Sequence, residues 1–208
     1  MAGKMTPSRE LMLRMRQAFL DYGYDGTSMV TLAKAGGFTR RSLYNYFSNK
    51  EEVFRATIRF DNRDFIATGL AAGEEARRKD GSALDIITAT LDTRYGIPRR
   101  LLSRSPHVLE LNAETYRHGR DIMIETALEF QAELERLLGE LQRQGLLKLN
   151  RVASAKQLAQ ILADSGRALS QALPPIPNDD FTARYRAMCA AVLYGSATES
   201  AGRKKRIS

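Results

Sequence analysis

The 208-residue sequence has one cysteine, two histidines and no tryptophan. A single thiol, Cys189, excludes an intramolecular disulfide and a multi-cysteine zinc site, and it fits a reducing compartment. There is no Gly-rich phosphate loop of a recognised form, no Gly-x-Ser-x-Gly elbow and no His-Glu-x-x-His motif, so the nucleophilic and zinc-dependent hydrolase patterns are missing. The longest charge-free run, residues 187–198, has 12 residues, short of the roughly 18–20 apolar residues of a membrane span. The first residues, MAGKMTPSRE, lead into a charged amphipathic segment without an apolar h-region, so no secretory signal is expected and a cytoplasmic location follows. Neither β alternation nor an internal repeat is present. An all-α chain is expected.

What is present is ordinary globular material, 43% hydrophobic and 27% charged, in a length that holds one large domain or two small ones. The formal charge of +8 is unevenly spread. Residues 1–60 carry 10 basic and 5 acidic side chains, residues 61–202 carry 18 and 19, and residues 203–208 carry 4 and none. A basic first quarter on a near-neutral body suggests a module for a polyanion joined to a part with another task.

Helix signals recur along the whole chain and predict about nine helices. Thr6-Pro7 offers a first cap, with Leu11, Met15, Ala18, Phe19 and Tyr22 at helical spacing before Gly23. Thr27-Ser28 caps a second, short helix stopped by Gly36-Gly37, and Thr39 caps a third over Arg40 to Phe47. Ser48-Asn49-Lys50-Glu51 has the form of a capping box for a long helix to about Lys79. Ser82 to about Arg104 is the next, bent at Pro98. Pro106 opens another that closes near Gly119. Over residues 120–144, Met123, Ala127, Phe130, Leu134, Leu137 and Leu141 make a stripe expected to face a core, ended by Gly145. Ser154 and Gln157 form a capping box for a helix to Leu173. After the stiff Pro174-Pro175-Ile176-Pro177 connector, Asn178, Asp179 and Asp180 are expected to cap a last helix to about Ala201.

Residues 27–50 combine a helix, a tight glycine turn and a second short helix, the helix-turn-helix arrangement. Leu32, Ala33 and Leu43 would fix the angle between the helices. Thr39, Arg40, Arg41, Ser42, Tyr44 and Asn45 then approach a major groove, where Arg pairs with guanine and Asn with adenine, while hydroxyls and Lys50 suit phosphate oxygens.

Gly26-Thr27-Ser28, Leu32-Ala33, Ala35-Gly36-Gly37-Phe38, Ser42-Leu43-Tyr44-Asn45-Tyr46-Phe47 and Asn49-Lys50-Glu51-Glu52-Val53-Phe54 closely resemble the DNA-binding domain of the tetracycline-repressor (TetR/AcrR) family, over roughly residues 8–60. The resemblance implies that Ser42, Tyr44, Tyr46 and Lys50 contact DNA, that Arg40 and Arg41 occupy variable recognition positions, and that Thr27 and Ser28 lie where backbone contacts are common. Arg41 stands where a small residue is frequent and Val30 where a polar or basic one is, which leaves the base preference open.

The resemblance further implies a homodimer, a roughly palindromic double-stranded operator, and a small-molecule effector in place of any cofactor. The expected organisation is a helix-turn-helix domain over 1–50, a helical effector-binding and dimerisation domain over 51–202, and a basic tail over 203–208. Candidate pocket residues are Phe65, Ile87, Leu91, Tyr95, Leu111, Tyr116, Met123 and Phe130. Candidate dimer contacts on the last two helices are Leu158, Leu162, Ala168, Leu169, Met188, Ala191, Val192 and Gly195. His107, Glu110, Glu114 and His118 share one helical face, but the stripe is about 16 Å long, too extended for all four to reach one ion. A solvated face is the reading there, and no metal is assigned. The function expected is a ligand-responsive, homodimeric transcriptional repressor. The alternatives are a non-specific architectural DNA-binding protein and, less favoured, a helical enzyme.

Overall fold

The computed structural model describes residues 4–150 and 153–195. Among them are eight α-helices, one 3-10 turn and no strand. Helices α1 (Arg9–Tyr22), α2 (Met29–Gly36) and α3 (Arg40–Leu43) make a small head. Helices α4 (Lys50–Arg78), α5 (Ala83–Leu102), α6 (Val108–Arg143), α7 (Ala155–Ser170) and α8 (Phe181–Tyr194) make the body, with the 3-10 turn Asn178–Asp180 before α8.

Polar side chains set most of the starts. Ser8, not Thr6, caps α1 by accepting from Leu11 N–H. Ser28 caps α2, Thr39 caps α3, and Ser82 and Ser154 form full capping boxes with Asp85 and Gln157. The box expected at Ser48 and Glu51 sits one residue later, with Asn49 accepting from Glu52 N–H and Glu52 accepting from Ser48 N–H. Helix α3 stops at Leu43, short of the expected Phe47. Asn178 to Asp180 form a 3-10 turn, and α8 has no side-chain cap. The rest of the expected last helix, residues 196–201, and the basic tail lie outside the described residues.

The largest departure is α6, a single helix of 36 residues where two were expected to meet at Gly119. Gly119 is a point of close approach, not a break: a Cβ there would lie 2.7 Å from Ile58 Cδ1 on α4. Gly119→Ala therefore requires the Ile58 side chain to turn aside or α4 and α6 to separate. Alanine's helix-propensity gain of about 1 kcal/mol opposes that cost, so a net loss of about 1 kcal/mol is expected, read as a lower midpoint in urea unfolding. An unchanged midpoint would remove this contact from the account.

The buried stripe of α6 also differs from the expected one. Ile122, Thr126, Phe130, Leu134, Leu138 and Leu141 are buried, whereas Met123, Ala127 and Leu137 are half-exposed. A stripe repeating every four residues drifts by about 40° per step around a helix, so it passes from one neighbour to another. Leu111 and Ile122 complete the head core with Met15, Phe19, Leu32, Leu43, Val53, Phe54 and Ile58. Phe130 to Leu141 belong to the body core with Ile86, Ile87, Leu91, Leu162 and Tyr185. Helix α4 is shared too, so the head's core reaches past residue 50 into α4 and α6.

Candidate nucleic-acid interface and cavities

The helix-turn-helix is built as its sequence requires. Leu32 and Leu43 are fully buried and Ala33 nearly so. Gly37, at φ 74°, takes the left-handed conformation that ends α2, and Phe38 N–H returns to Ala33 C=O at 2.9 Å. This turn aims α3 outward. Arg40, Arg41, Tyr44 and Asn45 are exposed, and the Arg40 guanidinium lies over the Tyr44 ring at 5.7 Å while donating to its hydroxyl at 3.3 Å. From Gly26 to Lys50 there is no acidic residue, and neither arginine has a carboxylate partner among the described residues. The two cations are left for solvent or for an anionic partner.

Three expected contact residues are placed otherwise. Thr27 is buried, its hydroxyl donating to Gly23 C=O, because the α1–α2 turn closes over it. Tyr46 is half-buried against Phe38, ring centroids 5.6 Å apart. Lys50 turns back to the head: its Nζ donates to Tyr24 C=O at 2.8 Å and sits 4.1 Å above the Tyr24 ring. The exposed or partly exposed candidates that remain are Ser28, Thr39, Arg40, Arg41, Ser42, Tyr44 and Asn45.

The polar stripe at the start of α6 is a seam to the head. Glu110 accepts from Asp25 N–H at 2.7 Å, and His107 Nδ1 lies 3.3 Å from Glu110. His118 lies 3.1 Å from Glu114 and 3.3 Å from Glu51, with its ring 4.9 Å from that of Tyr24. Among the described residues no group of His, Cys, Asp and Glu is arranged to hold a metal ion. The stripe is therefore a partly buried seam and not the solvated face that its spacing suggests, because the α1–α2 turn lies on top of it.

A ladder of ion pairs joins α4 to α6. Arg55 pairs with Asp121 at 2.7 Å, Arg59 with Glu125 at 3.1 Å, and Arg63 with Glu125 and Glu129 at 2.9 and 2.7 Å. Such exposed pairs add little stability, about 0–1 kcal/mol each, but their four-residue repeat on both helices fixes one register.

Two cavities lie beside this seam. The smaller, about 160 Å³, opens between α1, α4, α5 and α6 and is lined by Arg16, Phe19, Ile58, Asp61, Asn62, Phe65, Arg94 and Leu111, among others. The larger, about 430 Å³, lies mainly among α5, α6 and α7 and is lined by Asn62, Arg94, Tyr95, Tyr116, Arg120, Met123, Ile124, Leu128 and Arg167, among others. Asn62 and Arg94 belong to both, and Arg94 donates to Asn62 Oδ1 at 2.9 Å. Of the expected lining residues, Phe65 and Leu111 border the smaller cavity and Tyr95, Tyr116 and Met123 the larger. Ile87, Leu91 and Phe130 border neither, being sealed in the body core at 0–1% exposure. Periodicity marks apolar faces but not which of them meet a void. Polar members such as Asp61, Asn62, Arg94, Arg120 and Arg167 carried no sequence signal.

Asp61 is held in an environment that disfavours its charge. Burial pushes its carboxyl up to about 7, with Asp64 adding to the rise and Arg16 opposing it. The Arg16 Nε is 3.4 Å away but off the hydrogen-bonding line, so Asp61 Oδ1 has no hydrogen bond.

The expected dimer contacts divide. Leu158 and Leu162 are buried within this subunit's own core, which corrects their assignment: α7 packs them onto its neighbours. Ala168, Ala191 and Gly195 are exposed and Leu169, Met188 and Val192 partly so, beside Ile161 and Tyr194 at 46% and 63% exposure. No helix among the described residues is long and apolar enough to cross a membrane.

The sequence profile of the bacterial regulatory proteins, tetR family, matches residues 16–57. The chain is similar to the biofilm operon icaADBC HTH-type negative transcriptional regulator IcaR of Staphylococcus epidermidis, 30% identical over 106 residues that cover 50% of this chain and 56% of that protein. The chain spans about half the length of the curated relatives it matches. Over nearly its whole length it shares a fold with solved structures. A TetR-family transcriptional regulator from Rhodococcus sp. superposes with a TM-score of 0.64 at 18% identity, covering 88% of this chain and 96% of that one. The transcriptional regulator FadR from Bacillus subtilis, solved in complex with stearoyl-CoA, superposes with a TM-score of 0.62 at 17% identity, covering 90% and 98%.

Proposed function

We propose that this chain is a member of the tetR family of bacterial regulatory proteins, whose profile its residues 16–57 match, and that it is a cytoplasmic, sequence-specific DNA-binding repressor released from its operator by a small molecule. The observation that carries the reading is the acid-free surface of α3, with Arg40, Arg41, Tyr44 and Asn45 exposed together. Paired guanidinium donors read guanine edges and bind phosphate, an amide reads adenine, and the hydroxyls of Ser28, Thr39 and Ser42 suit backbone oxygens. It acts as a homodimer through the exposed small residues of α7 and α8, which sets two α3 helices about 34–36 Å apart for a roughly palindromic site. Like the relatives it matches, it is a regulator and not an enzyme.

Release follows from how α4 is placed. Its first turn holds Tyr24 through Lys50, its middle is tied to α6 by the ion-pair ladder, and Asn62 borders both cavities. A ligand that favours one spacing of α5, α6 and α7 therefore acts on α4 and, through it, on the head. It does so only in proportion to its different affinity for the two states. That a neighbour in this fold was solved with stearoyl-CoA supports an effector-binding role for the body. Selection from random duplex DNA tests the reading. An enriched inverted repeat with half-sites one helical turn or a multiple apart is expected. Equal binding to every duplex would instead favour an architectural protein.

A further inference from the structure

We propose that the larger cavity binds an oxyanion-headed amphiphile, its carboxylate or phosphate held by Arg94, Arg120 and Arg167. This rests on the effector-binding reading above and names the ligand's chemistry. All three arginines line one cavity, no carboxylate side chain lines it with them, and none of the three has an acidic partner among the described residues. The arginines of α4 are paired with carboxylates, whereas these three guanidiniums meet at one void that no carboxylate lines.

Arg94 is the most telling. It is 7% exposed, its Nε has no hydrogen-bond partner, and its guanidinium lies near both the Tyr95 and Phe130 rings, at 5.0 and 5.6 Å. A buried cation without a counter-ion is costly unless something neutralises it. Burial pulls its pKa down, and the charge of Arg167 adds to that fall. An anion between the two relieves both effects. A guanidinium fork matches carboxylate and phosphate oxygens with parallel donors.

The rest of the ligand is apolar. On α6, Ile124 and Leu128 are 48% and 61% exposed beside the cavity, with Tyr116 at 52%. They form a strip one helical turn apart that continues outward from Arg120. A chain or ring attached to the anion covers it. The volume of about 430 Å³ lies within the range of sites for small ligands.

Isothermal titration of the full chain without DNA tests this, using octanoate, octyl phosphate, octyltrimethylammonium and 1-octanol. At least one anion is expected to bind about tenfold or more tightly than octanol, and the cation more weakly than either. Arg120→Gln, at an exposed position, and Arg167→Gln, at a partly exposed one, are each expected to weaken the anion about tenfold and leave octanol unchanged. If either variant fails to fold, raising salt from 0.1 to 0.5 M with the wild type is expected to weaken the anion and not the alcohol. Absence of binding by both anions, equal binding of octanol, or anion affinity untouched by the substitutions or by salt would overturn the proposal. An anion that binds through the arginines but does not release the selected duplex leaves this site standing and removes the regulatory reading. Release by octanol alone does the reverse.

Discussion

Replacing Arg40 and Arg41 together by alanine is expected to lower affinity for the selected duplex about a thousandfold or more while leaving the melting temperature nearly unchanged. A good bidentate arginine contact is worth about 1–3 kcal/mol, and a dimer loses four such side chains. Both arginines are exposed, and the one intramolecular bond at stake is the 3.3 Å contact of Arg40 with the Tyr44 hydroxyl, so stability has little reason to move. Fluorescence anisotropy over a series of salt concentrations separates the two roles. Loss of phosphate contacts flattens the dependence of log K on log salt by roughly one per contact, whereas loss of a base contact lowers affinity without changing that slope. A fall of less than about threefold would take α3 out of the interface. Lys50→Ala is the poorer test, because Lys50 holds Tyr24 through its backbone carbonyl and its ring. Its loss disturbs the junction of head and body before it disturbs any phosphate contact.

That difference between Arg40 and Lys50 marks the limit of what the chain's pattern discloses. Local signals are legible because they act over a few residues. Ser28, Thr39 and Ser154 cap the helices their positions predict, and Leu32 and Leu43 make the small core that their spacing asks for. Long-range choices are not legible in the same way. Gly119 reads as a stop until Ile58 is seen against it. Leu162 reads as a contact for a second subunit because its apolar character does not say which neighbour it meets. The cavity arginines are the strongest case, since a lone Arg in a helix is ordinarily a solvated residue. Arg94 and Arg167 come from different helices, 73 positions apart in the sequence, and only packing sets them around one void.

Asp61→Asn is expected to stabilise the protein at pH 8 and to leave it unchanged near pH 4. The carboxyl has an ordinary value of 3.8 and is pushed up to about 7 in the folded chain. Below about 4 the group is protonated in both states and contributes no difference. Between about 4 and 7 the folded state keeps a proton that the unfolded state has lost, so stability falls as pH rises through this window and is level above it. At about 1.4 kcal/mol per pKa unit the full cost has an upper bound of roughly 4 kcal/mol, which in a domain of this size corresponds to at most several degrees to somewhat over ten in melting temperature. Asparagine keeps the shape without the charge. Arg16 keeps its place over the Phe60 and Phe65 rings at 5.9 and 5.4 Å. Thermal melts of both proteins from pH 4 to pH 8 should therefore converge at the acid end and separate through the middle of the range. A constant gap at every pH would mean that the substitution acts through packing and that Asp61 carries no titrating strain. If the curves do separate, the smaller cavity has an acid poised to change charge near neutrality, at the point where α1 of the head meets α4 of the body.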